Sequence, residues 1–198
     1  MIRGQKVVLT ALDPRNAETV RGWVNDPEVN RYMLSGHIPL TAAAEESFYT
    51  RMEAAADAHV FEIHMVEDMR LIGHVGIEQI DSIHRTGSLG ICIGDLANQN
   101  RGLGTDAIVT MLRFAFDTLG LNRVNLFCRE DNARGLRVYR GAGFTDIGRE
   151  RESIFAEGRF FDAYMFDMLA REFRARYGPG ARSGDVGFRL SRSVALGS

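Results

Sequence analysis

A glycine-rich segment between a strand and a helix constrains this chain more than any other feature. Residues 99–107 read QNRGLGTDA and follow a strand that ends at Gly94. Glycines at 102 and 104 allow a positive φ and let the backbone approach a ligand closely. The unpaired N–H groups and the positive dipole end of the following helix favour an anion such as a pyrophosphate. The alternative is a plain tight turn with a glycine N-cap.

Two common phosphate-binding motifs do not fit this segment. A nucleotide P-loop requires G-x-x-x-x-G-K-[ST], and the chain contains no Lys-Ser or Lys-Thr pair. A dinucleotide fingerprint tolerates Ala107 in place of its third glycine. That fingerprint belongs near the first strand of a strict βαβ unit, whereas here a run of three strands precedes the turn.

The pattern of apolar residues predicts the element order β-α-α-β-β-β-α-β-α-β-β. This order indicates an α/β chain with a mixed sheet, because a doubly wound fold would alternate more strictly. Strands are predicted at 6–12, 60–66, 71–80, 88–94, 123–129, 144–155 and 159–169. Asp13 and Thr41 are predicted to cap the first two helices, and further helices are predicted at 104–119 and 132–140.

Composition narrows the class of protein. With 198 residues and 45% hydrophobic residues, the chain has the size and make-up of one globular domain. A net charge of −2 does not indicate a basic nucleic-acid-binding surface, so we expect no direct nucleic-acid partner. No apolar run approaches the ~20 residues of a membrane span, and the polar start is unlike a signal peptide. We therefore expect a cytoplasmic protein without a membrane partner, and the two cysteines predict neither a disulfide framework nor a metal site.

The distribution of charge divides the chain in two. Residues 171–198 carry six arginines against Glu172 and Asp185, whereas residues 1–170 are acidic. We predict a folded domain over 1–170 and a basic C-terminal tail over 171–198. The tail is expected either to be disordered or to pack on a partner subunit.

Two motifs together resemble the signature of the GNAT N-acetyltransferase superfamily. They are Q-x-x-G-x-G at 99–104 and N-x₆-Y-x₃-G-F at 132–144. The N-terminal segments 9–12, 23–29 and 31–32 look like the RimJ/RimL branch of that superfamily. The resemblance covers roughly residues 5–170. It implies a mixed, mostly antiparallel sheet with a central splayed parallel strand pair and flanking helices, and it is compatible with a homodimer.

The resemblance implies that acetyl-CoA is the co-substrate and that it lies between strands 88–94 and 123–129. Backbone groups of Cys92 and Ile93 would pair with the pantetheine arm, and Asn132 would bond its end. The pyrophosphate would lie on the turn, whose residues are Gln99, Arg101, Gly102, Leu103, Gly104 and Thr105. Family members often have Ser at the position of Gly135 and Lys at that of Gly141.

The phosphate contacts of this chain are expected to come from arginine. Lys6 is the only lysine in the sequence, and the family's usual lysine is replaced by Gly141. We therefore expect Arg101, Arg137 and Arg140, together with backbone N–H groups, to line the cofactor's phosphates.

The chemistry that the resemblance implies is attack of a neutral amine on a thioester. Tyr139 is the candidate to protonate the leaving thiolate or to donate a hydrogen bond to it. Glu78 and Asp162 are the candidate bases, but each could instead serve only in a surface or hairpin ion pair. A water chain without a dedicated base is a third route.

The acceptor of the acetyl group is left open by these motifs. It could be a protein N-terminus, a polyamine, an amino acid or an aminoglycoside, selected by the helices within 25–58 and the hairpin at 150–162. The alternative to an enzyme is a non-catalytic acyl-CoA-binding sensor. A sensor would keep the glycine turn but would not need Tyr139.

Overall fold

A computed structural model describes residues 1–33 and 38–179 of the chain. The strands are β1 Ile2–Arg3, β2 Val7–Ala11, β3 His59–Met65, β4 Leu71–Asp81, β5 Thr86–Ile93, β6 Arg123–Arg129, β7 Thr145–Ala156 and β8 Arg159–Leu169. The α-helices are α1 Ala17–Val24, α2 Pro27–Asn30, α3 Ala42–Ala54, α4 Leu103–Arg113, α5 Ala133–Ala142 and α6 Ala170–Tyr177. Short 3₁₀ turns at Pro14–Asn16 and Leu96–Asn98 precede α1 and the glycine-rich segment.

All eight strands form one sheet in the order β1-β2-β3-β4-β5-β6-β8-β7. Every neighbouring pair is antiparallel except β5 and β6, which run parallel. The sheet topology confirms the predicted mixed, mostly antiparallel architecture. The predicted hairpin at the C-terminal end is also present, and it turns at Glu157 and Gly158, both with positive φ.

The parallel pair opens along its length. Thr86–Ser88 of β5 pair with Arg123–Asn125 of β6, and the register ends there. Both strands continue beyond this point, to Ile93 and Arg129 respectively. Their C-terminal halves are therefore separated, which confirms the predicted splay at the centre of the sheet.

Alternation along the strands separates the two faces of the sheet. On β3, Phe61 packs edge-on against Phe114 just after α4, with 5.3 Å between ring centroids. The next residue, Glu62, accepts hydrogen bonds from Asn16 just before α1. Because successive side chains of a strand point to opposite faces, α4 and α1 lie on opposite sides of the sheet.

The main core lies on the α4 side. Ala107, Ile108, Met111 and Leu112 of α4 are fully buried in one apolar cluster with residues of the central strands. The predicted helix at 104–119 is interrupted, since α4 ends at Arg113 and a π-helical turn covers Phe114–Thr118.

Helix starts follow the predicted caps. The Thr41 side chain accepts a hydrogen bond from the Ala44 N–H at 3.2 Å, and Asp13 accepts one from the Arg15 N–H at 3.0 Å. In both cases a short polar side chain satisfies an N–H group that has no partner within the helix.

The packed body of the molecule continues beyond residue 170. Helix α6 begins at Ala170, and its Phe173 is buried against Phe116, with 5.3 Å between ring centroids. The first part of the predicted tail is therefore helical and packed on the core. Residues 180–198 of that tail lie outside the described residues, as do residues 34–37. None of the helices in the described ranges is long and apolar enough to cross a bilayer.

Candidate active site

The glycine-rich turn has the backbone geometry of an anion site. Gly102 has a φ of +79°, which is the left-handed conformation that glycine adopts without strain. Helix α4 begins at the next residue, and its first intrahelical hydrogen bond runs from the Asp106 N–H to the Gly102 carbonyl at 3.1 Å. The N–H groups before Asp106 have no intrahelical acceptor and stand at the positive end of the helix dipole.

The only lysine of the sequence lies against this turn. The Lys6 Nζ donates a hydrogen bond to the Arg101 carbonyl at 3.0 Å, and a Cβ added at Gly102 would lie 3.1 Å from it. Asp106 holds the segment in place, because its carboxylate accepts the Lys6 N–H at 2.7 Å and the Val7 N–H at 3.0 Å. Lys6 lies about a hundred residues before the turn in the chain, so spacing along the sequence does not place it there.

The three predicted phosphate-binding arginines do not line the cleft. The Arg101 Nη1 bonds the Asn98 Oδ1 at 2.5 Å. Arg137 is exposed on α5, and Arg140 pairs with Asp146 at 3.4 Å. Arg134 lines the cleft instead. Its position in the first turn of α5 was the signal that could have identified it, because that turn is where anions are favoured.

A cleft occupies the gap between the separated ends of β5 and β6. It encloses about 180 Å³. Residues of the glycine turn line it, as do Val29 of α2 and the segment that follows α2. Its lining includes the predicted residues Cys92, Ile93, Gln99, Gly102, Gly104, Thr105, Asn132 and Tyr139. Tyr32 and Met33 also line it, although no sequence motif indicates a place for them in the cleft. Leu103 is buried beneath the turn in the core.

Gln99 ties three parts of the cleft together. Its Nε2 donates a hydrogen bond to the Ile93 carbonyl at the end of β5, at 3.2 Å. Its Oε1 accepts a hydrogen bond from Arg134 of α5. The first residue of the glycine motif therefore fixes the turn relative to both walls of the cleft.

Asn132 is held by its role as a helix cap. Its Oδ1 accepts the Gly135 N–H at 2.9 Å at the start of α5. A Cβ at Gly135 would lie 2.7 Å from the Asn132 Nδ2 and 3.0 Å from the Cys128 Sγ. This crowding explains why glycine stands here, where family members often carry serine.

Tyr139 lies deep in the cleft, against Phe144 and Phe166, with 6.2 Å between ring centroids in each case. Burial raises the pKa of its hydroxyl well above the usual value of 10.0. Burial likewise raises the pKa of the Cys92 thiol to about 11 and that of the Cys128 thiol to about 12. All three groups are protonated at neutral pH.

Neither candidate base lies in the cleft. Glu78 is exposed on β4, with its backbone paired to Ser88. Asp162 pairs with the Arg149 Nε at 2.7 Å and accepts the Glu152 N–H at 2.8 Å. The geometry of Asp162 is that of an ion pair within the hairpin. Among the described residues that line the cleft there is no Asp or Glu.

The described ranges contain no cluster of three or more His, Cys, Asp or Glu that could hold a metal ion.

Comparisons with known proteins agree with this geometry. The model of the acetyltransferase (GNAT) domain matches residues 6–145. The uncharacterized N-acetyltransferase p20 of Bacillus licheniformis is 25% identical over 173 residues, covering 85% of this chain and 96% of the relative. The putative ribosomal N-acetyltransferase YdaF of Bacillus subtilis is 22% identical over 173 residues, covering 85% and 94%.

A solved structure has the same fold. The crystal structure of spermidine N-acetyltransferase from Vibrio cholerae, in complex with CoA and spermine, superposes with a TM-score of 0.79 at 22% identity. The superposition covers 85% of this chain and 98% of that one. Since the family model spans well over half of the sequence and the splayed cleft carries the family's motif residues, the chain belongs to the GNAT acetyltransferase family.

Proposed function

We propose that this protein transfers the acetyl group of acetyl-CoA to a primary amine by direct attack in a ternary complex. The observation that carries the proposal is the cleft between the separated ends of β5 and β6, with the glycine turn at one end and Tyr139 inside. Acetyl-CoA supplies an activated acyl group as a thioester. A chain that only sensed acyl-CoA would need the turn but not a tyrosine beside the acyl group.

The residues of the cleft fit such a ligand. The β5 backbone at Cys92 and Ile93 has no strand partner on the β6 side and can bond an extended pantetheine arm as an added strand would. The free N–H groups at the start of α4 suit the pyrophosphate. Lys6 and Arg134 are the basic side chains beside the turn, and we propose them as its charged phosphate contacts.

The reaction needs a neutral amine and a route for its proton. The amine nitrogen bonds the acetyl carbon, and the carbon–sulfur bond breaks with its electron pair on sulfur. The nitrogen loses its second proton to solvent as the amide forms, and solvent protonates the released thiolate, so the products are the amide and the free CoA thiol. An alkyl ammonium has a pKa of about 10.4 and must lose a proton first. Since no described carboxylate lines the cleft, we propose that this proton passes to solvent rather than to Glu78 or Asp162.

Tyr139 acts as a hydrogen-bond donor in this proposal. Its raised pKa makes full proton transfer to a thiolate of pKa about 8.5 unfavourable, but a hydrogen bond to the developing negative charge stays available. The raised pKa values of Cys92 and Cys128 leave no thiolate to form an acetyl-cysteine, which supports direct attack.

The names of the relatives support two acceptor classes. A spermidine N(1)-acetyltransferase of Vibrio cholerae is 29% identical over 114 residues, covering 57% of this chain and 65% of the relative. The name of YdaF points instead to a ribosomal-protein N-terminus, which is the RimJ/RimL type of acceptor. We propose polyamines and protein N-termini as the two acceptor classes to separate by experiment.

The test is release of free CoA thiol from acetyl-CoA across an amine panel. The panel holds spermidine, spermine, peptides with free N-termini, L-amino acids and an aminoglycoside, with N-acetylated peptide as the unreactive control. We expect amine-dependent thiol release with at least one class. Tight CoA binding without thiol release for any amine would contradict the proposed enzyme and would indicate a non-catalytic acyl-CoA sensor.

A further inference from the structure

Arg129 is the buried arginine of the described ranges, and it stands where β6 has separated from β5. Its side chain is 3% exposed. Its Nε and Nη2 bond the two carboxylate oxygens of Asp131 at 2.6 and 2.9 Å. The Nη2 also bonds the Glu157 Oε1 at 3.1 Å. Two carboxylates therefore neutralise this guanidinium from one edge.

Aromatic rings cover the faces of the same guanidinium. The Arg129 Cζ lies 4.3 Å from the ring centroid of Phe161 and 4.8 Å from that of Tyr32. Stacking of a planar guanidinium on an aromatic ring is a contact that lysine cannot reproduce. Tyr32 is itself a wall of the cleft, whereas Arg129 is not among the lining residues.

These contacts join three separate segments. Tyr32 follows α2, Arg129 ends β6, and Glu157 forms the β7–β8 turn. A second arginine links the segment after α2 to the same turn, because the Arg31 Nε bonds the same Glu157 oxygen at 3.2 Å. The α2 segment and the hairpin turn both belong to the regions expected to select the acceptor.

We propose that Arg129 is a positioning residue that holds Tyr32 as the acceptor-side wall of the cleft. Glu157 supports it by fixing the guanidinium and the α2 segment to the hairpin turn. This inference rests on the proposed acetyl transfer. It assigns contact with the acceptor to Tyr32 and the positioning of Tyr32 to Arg129 and Glu157, and it gives a structural reason for the Arg-Tyr pair at 31–32. The contacts proposed for acetyl-CoA, at the glycine turn and along the β5 edge, involve none of these three residues.

The kinetic test compares Arg129→Gln, Glu157→Gln and Tyr32→Ala with the unmodified chain. We expect the KM for the amine to rise about 10- to 100-fold, as misplacement of a substrate wall allows. We expect the Kd for acetyl-CoA to stay within about twofold, since none of the contacts proposed for that ligand involves these three residues. Glu157 lies on an exposed turn, so its variant keeps the test available if loss of the buried Arg129 impairs folding.

Two matched variants separate positioning from packing. Tyr32→Phe keeps the ring against the guanidinium. Its KM for the amine is therefore expected to stay close to that of the unmodified chain, unlike that of Tyr32→Ala. Arg159→Gln removes an exposed arginine that stacks on Phe161, at 4.2 Å, whereas the arginine stacked on both Phe161 and Tyr32 is Arg129. It is expected to leave the KM unchanged. An equal rise in KM for Arg159→Gln would overturn the proposal.

Amide hydrogen exchange tests the positioning role of Arg129 without a measurement of turnover. In Arg129→Gln and Glu157→Gln, exchange at residues 27–33 is expected to accelerate, with that of α4 unchanged. Unaltered exchange at 27–33 would show that Arg129 does not hold this segment, whatever the activity. If exchange accelerates in these variants but the unmodified chain acetylates no amine, the positioning contact is supported and the proposed acetyl transfer is contradicted.

Discussion

The hydroxyl of Tyr139 lies in a pocket that keeps it protonated, because burial raises its pKa. A protonated phenol can stabilise a departing thiolate by a hydrogen bond without giving up its proton. The contribution of this residue to catalysis is then the strength of one hydrogen bond to a charged group.

Replacement of Tyr139 by Phe tests that role. A hydrogen bond to a charged group is worth about 1.5–3 kcal/mol, so kcat is expected to fall about 10- to 100-fold. The Kd for acetyl-CoA, measured by calorimetry, is expected to change little because the ring stays in place. Tyr164→Phe is the matched control, since Tyr164 is not among the described residues lining the cleft. Unchanged turnover in Tyr139→Phe would remove this residue from the mechanism.

His74 is a buried group whose titration links stability to pH. It lies on β4 opposite Cys92, and no hydrogen-bond partner for its Nε2 lies in the described part of the chain. Burial lowers its pKa from 6.5 to about 4, an effect that Glu62 partly opposes and His64 reinforces. Because the unfolded chain takes up a proton first, stability is full above pH 6.5 and falls as the pH drops toward 4.

The size of this effect can be measured against a non-titrating variant. A shift of this extent corresponds to about 3 kcal/mol of unfolding free energy lost between pH 7.5 and pH 4. Urea unfolding at the two pH values is expected to show a smaller loss for His74→Gln than for the unmodified chain. His84→Gln, at an exposed turn, is expected to show the full loss. Equal losses in both variants would exclude His74 as the cause.

At the scale of elements, the N-terminus of helix α5 contributes Asn132 and Arg134 to the lining of the cleft. The helix contains two glycines with different surroundings. Gly135 is crowded by Asn132 and Cys128, whereas a Cβ at Gly141 would meet nothing within 4 Å. Alanine in a helix is favoured over glycine by about 0.5–1 kcal/mol when it fits.

Alanine at each glycine separates helix propensity from site geometry. Gly141→Ala is expected to raise the unfolding free energy by about 0.5–1 kcal/mol and to leave the Kd for acetyl-CoA unchanged. Gly135→Ala is expected to displace the Asn132 side chain and to weaken acetyl-CoA binding. Chemical denaturation and calorimetry measure the two effects. Equal Kd values for both variants would contradict the role of the Asn132 cap.

The predicted elements agree with the structure wherever local rules act. The caps at Asp13 and Thr41, the hairpin turn at Glu157-Gly158 and the seven predicted strands follow from side-chain spacing and turn chemistry. The two-residue strand β1 and the four-residue helix α2 were not predicted, because elements this short show no periodicity. The π-helical turn after Arg113 departs from the predicted continuous helix. The periodicity of apolar residues does not reveal this change, because the turn is only five residues long and apolar residues continue through it.

At the scale of the whole molecule, the described cleft lacks an acidic side chain that could take the amine's proton. If solvent takes that proton, the pH dependence of the reaction belongs to the acceptor and not to the enzyme. The relevant quantity is then the fraction of acceptor that is neutral at each pH.

A pair of acceptors with different amine pKa values tests this expectation. A peptide α-amine has a pKa of about 8 and an alkyl amine one of about 10.4. The logarithm of kcat/KM is expected to rise with pH for each and to level off at the pKa of that amine. An identical break near pH 6 for both acceptors would show that an enzyme group is the base. Glu78→Gln and Asp162→Asn should leave both profiles unchanged.

The amino-acid sequence alone determined the mixed α/β class and the glycine turn, because apolar spacing and turn residues act over a few neighbours. The splayed parallel pair and the places of Asn132 and Tyr139 followed from the resemblance of the two motifs to the GNAT signature, since strands so far apart in the chain are not paired by local rules. The tertiary structure alone placed Lys6 beside the turn, chose Arg134 over Arg137 and Arg140 as a lining residue, and stacked Arg129 on Tyr32. Those contacts depend on the pairing order and twist of the sheet, which bring together residues far apart in the chain.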